Sequence, residues 1–228
     1  MKVACLAACV VALCAATGCG SASSRSTAGD GSAPTTSAES PKRPLLHLDT
    51  NDDKGASEVV LLAEQGTKTA APRDLYAVFA RKQTDEEAQI APRLLNDYPC
   101  AREGSENIAE QARILLHGVD GGQDMLVAVP TTDGSVSVAV YPQGGATCAL
   151  PTEDGLILAA DEQGGSATVY GLVDDGVRSV DVIVDGQAHR AELSENGFAV
   201  ALHSANGMDV DKLVLRHSDG SVSEFPSG

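Results

Sequence analysis

The sequence predicts an α+β fold dominated by antiparallel strands, with a few helices in the first half of the folded region. Three observations carry this. Asp-Gly or Asn-Gly pairs begin at Asp120, Asp133, Asp154, Asp175, Asp185, Asn196, Asn206 and Asp219, and such pairs favour the positive φ of tight hairpin turns. Between them run alternating apolar residues, each run presenting one face to a core: Val136, Val138 and Val140; Val180, Val182 and Val184; Phe198, Val200 and Leu202; Leu213 and Leu215. Helix signals occur only upstream of about Leu116. Short strands with a turn every 8 to 12 residues or so predict an immunoglobulin-like sandwich or a similar antiparallel architecture.

Taken in order, the chain starts with Met1 and Lys2, then an apolar run from Val3 to Thr17. This has the layout of a signal peptide: a charged start, an apolar segment and a small-residue cleavage zone. It is shorter than the roughly 20 apolar residues that a spanning helix needs. Ala16-Thr17-Gly18-Cys19 resembles the lipobox of bacterial lipoproteins, in which the cysteine receives a thioether-linked diacylglycerol before cleavage. The resemblance implies residues 1–18 as a lipoprotein signal peptide and Cys19 as the lipid attachment site. It departs at Ala16, where a larger aliphatic residue is usual. Leu6-Ala7-Ala8-Cys9 fits the pattern better by letter, but it leaves far fewer apolar residues ahead of the cut than the 7 to 15 or so of a signal segment. An ordinary secretory peptide with a coincidental Cys19 is the competing reading.

Residues 19–43 form a Ser, Thr, Ala and Gly tether with almost nothing apolar beyond alanine, too little to offset the entropy of ordering. Its reach grows as the square root of its length.

An α+β region is expected over 44–165. Thr84 and Glu87 make a capping box ahead of Ala88, Ile90, Leu94 and Leu95, with Pro92 expected to kink or split the helix. A second helix is expected from Ser105 through Ile108, Ala112 and Leu115, and a strand over Leu75–Phe79. A β-sandwich-like region follows over 166–228, which is small enough that strands near Met125–Tyr141 are candidates to complete its core. VYGLVDDGVRSVDVIVDGQ from Val169, ENGFAV from Glu195 and LYAVFARKQTDEEA from Leu75 are similar to stretches of secreted or lipid-anchored actinobacterial envelope proteins of uncharacterised function. That resemblance implies a β-sandwich-like end, with Gly171 and Gly176 as turn residues, and an envelope setting. It implies no activity.

Removing Cys5, Cys9 and Cys14 with the signal and committing Cys19 to lipid leaves Cys100 and Cys148. In an oxidising compartment these most simply form one disulfide; two buried thiols are the alternative. The chain carries a net charge of −16. The acidic excess deepens beyond Pro44, because Lys2, Arg25, Lys42 and Arg43 precede it against only Asp30 and Glu39. Nucleic acid is therefore excluded as a partner by charge. The absence of Trp, with 4 Tyr and 3 Phe, argues against a sugar-stacking platform.

Catalytic patterns fail one by one. No serine has glycine two positions away on both sides. Cys100 with His117 as a thiol nucleophile competes poorly with a disulfide. Among His47, His117, His189, His203 and His217 no helical ligand pair occurs, so a metal site would need His189, His203 and His217 to converge from separate strands. Asp49–Gly55 starts like a calcium loop but has Lys54 at the glycine position and Val60 at the closing glutamate. The carboxylate pairs Glu86–Glu87, Glu153–Asp154 and Asp174–Asp175 read as solvated turns or helix starts. Catalytic residues, metal and cofactor are each expected to be none.

The expectation is a membrane-anchored extracytoplasmic lipoprotein acting as a non-catalytic binding module toward an envelope protein or wall component. The alternative is an extracellular hydrolase or metal-binding accessory with a site assembled from distant residues. A concave pocket gathering several acidic side chains or the late histidines would favour that alternative.

Overall fold

Turn chemistry and two-sided burial decide the element order. The structure, a computed structural model, describes residues 46–48, 59–61, 71–100, 105–119, 121–163, 165–203 and 208–226. Two short strands come first, β1 (Leu46–Leu48) and β2 (Val59–Leu61), then a single helical turn α1 (Pro72–Leu75), a 3₁₀ turn at Ala77–Ala80 and the helix α2 (Asp85–Asp97). After a 3₁₀ turn at Ala109–Gln111 come β3 (Arg113–Val119), β4 (Asp124–Pro130), β5 (Val136–Tyr141) and β6 (Ala146–Ala149). They are followed by β7 (Ile157–Gln163), β8 (Ser166–Leu172), β9 (Val177–Val184), β10 (Gln187–Arg190) and β11 (Glu192–Ser194). The last strands are β12 (Gly197–His203), β13 (Met208–His217) and β14 (Val222–Pro226).

The strands form three antiparallel sheets. One has the order β3-β4-β5-β6, a second β11-β12-β8-β7-β2, and a third β1-β13-β9-β10 with β14 also on β13. The second and third enclose a core of Val180, Val182, Val184, Leu213 and Leu215 against Leu158, Val169, Phe198 and Leu202. These are the faces that the sequence alternation assigned to the core. The other face of the second sheet, with Ile157, Tyr170, Leu172 and Ala199, packs on Leu126, Val136 and Val138 of the first. The far face of the first sheet, with Ile114, Val127 and Ala139, packs on Ala91 and Leu94 of α2. The order of layers is helix, sheet, sheet, sheet. Every residue of β5 is buried because its sheet is covered on both sides.

The capping box of α2 is formed, with Thr84 Oγ1 accepting from Glu87 N at 3.2 Å and Thr84 N donating to Glu87 Oε2 at 2.7 Å. Pro92 does not split the helix. It removes the N–H that would bond Ala88, and both residues are exposed, so the released carbonyl faces water.

Three local expectations are corrected. Leu75–Phe79 is a helical and 3₁₀ segment rather than a strand; Tyr76 and Phe79 are buried as a T-shaped aromatic pair, and Tyr76 donates to Gly155 O at 2.9 Å. The second helix is a short 3₁₀ turn that leads into β3. An apolar run buried on both sides fits helix or strand equally by pattern, and the bulge between Ile114 and Leu116 lets Leu115 and Leu116 share one core layer. At Asn196-Gly197 the turn is Glu195-Asn196, with φ of 46° and 70°, and the glycine is the first residue of β12. Asp185-Gly186 does form the expected two-residue hairpin, with φ of 48° and 75°. The boundary expected at 165/166 falls in the β7–β8 hairpin.

Gly171 is not a turn residue. It sits within β8, opposite Leu158 and Phe198, where a Cβ would lie 1.9 Å from the Ile157 carbonyl oxygen and 3.0 Å from Phe198 Cε1. Gly197 is likewise pressed on Leu115, with a Cβ placed 2.4 Å from that residue's own. Gly171→Ala is expected to lower stability by about 1–3 kcal/mol through overpacking. Thermal denaturation checks it, and an unchanged Tm would contradict the close approach.

Candidate functional site

Three turns and α1 meet at one end of the sheets. The turn between β6 and β7 supplies Glu153 and Asp154, that between β8 and β9 supplies Asp174 and Asp175, and that after β13 supplies Asp219; α1 adds Asp74. Together with His217 they line an open cleft of about 470 Å³. A neighbouring cleft of about 560 Å³ shares Asp174 and Asp175.

The carboxylates of this cleft are partly committed to building its walls. Asp175 Oδ1 accepts from Ala77 N at 2.7 Å and from Asn196 Nδ2 at 2.9 Å. Asp174 Oδ1 accepts from Gly176 N at 2.7 Å. Asp219 Oδ1 accepts from the Ser221 hydroxyl at 2.6 Å and its N–H at 2.8 Å, and these bonds hold its carboxyl below the ordinary range. His217 Nε2 pairs with Ser223 Oγ at 2.9 Å. The cleft carries a negative field that attracts cations and repels phosphate.

A second charged cluster is buried. Glu87, 1% exposed, receives a two-pronged Arg81 at 2.6 and 2.8 Å, Thr84 N, and Ile114 N at 2.9 Å. Burial alone would raise its pKa, but the bonds from Arg81 and the two backbone N–H groups bring it down to about 2. Arg81 also bonds Glu195 at 2.6 Å, so the cluster ties α2 and β3 to the β11–β12 turn. Arg113, also buried, donates to the carbonyls of Val78, Arg81, Glu110 and Ala112. Desolvation lowers its pKa.

At the β4–β5 turn, Asp133 Oδ1 accepts from Thr131, Ser135 and Ser105 hydroxyls. Burial opposes its ionisation, yet these bonds hold it well below the ordinary carboxylate range. Ser135 Oγ in turn lies 3.7 Å from Cys100 Sγ and 3.8 Å from Cys148 Sγ.

The structure brings Cys100 and Cys148 together at disulfide distance, with Cα atoms 5.5 Å apart. A bond between them would leave Cys100 without a free thiol. His117 is exposed, 4.0 Å from Glu86. His189, His203 and His217 do not converge: His189 pairs with Val182 and His217 with Val177, about 17 Å apart along β9 at strand rise, and His203 ends β12 in another sheet. Among the described residues no group of three His, Cys, Asp or Glu is placed to hold a metal ion. No helix among them is long and apolar enough to cross a membrane. Cys19, the Asp49–Gly55 segment and the side chain of His47 lie outside the described residues.

No protein-family model, curated protein or solved structure matches this chain. The site's meaning therefore rests on its own chemistry. Sequence reading missed two features. Glu87 reads in the sequence as the capping partner of Thr84, but its burial, its ion pair with Arg81 and its bond from Ile114 N do not show there. The acidic cleft was invisible as a unit because Asp74, Glu153, Asp174 and Asp219 meet only through the topology.

Proposed function

We propose that this chain is a lipid-anchored extracytoplasmic lipoprotein, attached through Cys19, whose β body serves as a non-catalytic binding module toward a protein or wall component of the cell envelope. The reading rests above all on the run from Met1 to Cys19, a charged start, an apolar segment and small residues ahead of a cysteine, followed by a polar tether. The β body supports it in a simple way: two of its buried charged side chains, Glu87 and Arg113, are spent on backbone and ion-pair bonds that hold layers together. The disulfide-distance pair suits an oxidising compartment. The likeness to actinobacterial envelope proteins points the same way.

The acidic cleft favours one alternative, a metal-binding accessory. It ranks second because Asp174, Asp175 and Asp219 already accept backbone hydrogen bonds.

Cys19→Ala tests the anchor. The variant is expected to leave the membrane fraction for the soluble fraction while the wild-type chain stays with membranes. Equal retention of both would overturn the reading.

A further inference from the structure

The space between the first and second sheets contains polar atoms that have no hydrogen-bond partner among the described residues. They are Tyr170 Oη, Thr147 Oγ1 and Asp161 Oδ1, on residues that are respectively 0%, 5% and 6% exposed.

Strand alternation puts all three in the same layer. Asp161 has the parity of Ile157 and Ala159, which face the first sheet, and Tyr170 stands opposite Ala159. Thr147 stands opposite Val138, which faces the second sheet. The other oxygen of Asp161 is fixed by Gly145 N at 2.7 Å. The Gly144-Gly145 turn presses on the carboxylate, since a Cβ on Gly144 would lie 2.9 Å from Asp161 Oδ2 and 2.5 Å from Val140 Cβ. Tyr98 holds that turn by donating to Pro142 O at 3.0 Å.

The three atoms specify their ligand. A buried tyrosine and a buried threonine each have a proton to donate, and the carboxylate oxygen has lone pairs to fill. Native proteins seldom leave such groups unmatched, and ordered water is their usual partner when no side chain reaches them. A bound cation would satisfy Asp161 but leave both hydroxyl protons without an acceptor. An anion would meet Asp161 head on. Water both accepts and donates, as the three atoms together require.

We propose that the interlayer between β6, β7 and β8 is an interior hydration site, where ordered water accepts from Tyr170 and Thr147 and donates to Asp161. Burial, with the Asp161 charge, pushes the Tyr170 phenol well above its ordinary value, so it remains a donor across the working pH range. The site gives the otherwise apolar seam between two sheets a polar anchor.

A high-resolution crystal structure of the full chain, together with oxygen-17 water relaxation dispersion, tests it. The expected result is water density within hydrogen-bond distance of Asp161 Oδ1 and Tyr170 Oη. Dispersion is expected to report long-lived internal water whose amplitude falls by about one molecule in Tyr170→Phe or in Thr147→Val. A direct Tyr170–Asp161 hydrogen bond, a metal ion in that density, or unchanged dispersion amplitude in both folded variants would overturn it. Should either variant fail to fold, the wild-type density decides alone.

Discussion

Glu87→Ala is expected to lower the stability of the folded body by about 2–4 kcal/mol, from the loss of charge-assisted hydrogen bonds and a buried N–H left unmatched. The loss has two sources. Arg81 is left with only the half-exposed Glu195, and the Ile114 N–H inside the structure loses its acceptor. Adding Arg81→Met to Glu87→Leu is expected to recover part of that loss, because no guanidinium is then left short of its buried partner. Denaturant titration of the three chains measures both effects; a single-variant loss under about 1 kcal/mol would contradict the burial of the pair.

The same residue fixes a pH dependence. Its folded pKa of about 2 lies below the ordinary 4.5, so its contribution is fully present above about pH 4.5 and is lost as pH falls toward 2. At one pKa unit per 1.36 kcal/mol the contribution is about 3 kcal/mol. Asp133, held low by its hydroxyl partners, shifts stability in the same direction. Stability should fall on acidification through this window, and Glu87→Gln should flatten the fall.

The second large effect concerns Cys100 and Cys148. Their sequence separation of 48 closes a loop whose bridging contributes about 4 kcal/mol in the chain-entropy estimate. The link joins the segment after α2 to β6, an edge strand of the first sheet, so it pins the helix layer to the sheet it covers. Replacing both cysteines with alanine is expected to lower stability by about that amount. Mass mapping without reductant should recover a Cys100–Cys148 linked peptide, and alkylatable thiols at both positions would refute the bridge.

Much of the β part was legible because its signals are local. Val180, Val182 and Val184 alternate in one strand, and Asp185-Gly186 closes it with the two positive-φ residues that a tight hairpin requires. Thr84 and Glu87 are also a local pair, and their capping box formed as read. What failed was decided by layers. Leu75–Phe79 has strand-like composition, but Tyr76 and Phe79 are placed by packing under the second sheet rather than by pairing. Ile114–Leu116 reads as a helix face, yet coverage by α2 on one side and a sheet on the other allows an apolar run in a strand. Gly171 has no turn to make, and its role appears only once Ile157 and Phe198 are seen beside it. The acidic cleft was hidden for the same reason, since residues separated by up to a hundred and more positions meet only in the assembled fold.

The most direct measurement of the proposed function is the mass of the N-terminal peptide from protein extracted from the membranes of the producing cell. Processing as a lipoprotein predicts a chain that begins at Cys19 and carries the diacylglycerol adduct on that residue, with Cys5, Cys9 and Cys14 gone. A chain that begins elsewhere, or an unmodified Cys19, would contradict it.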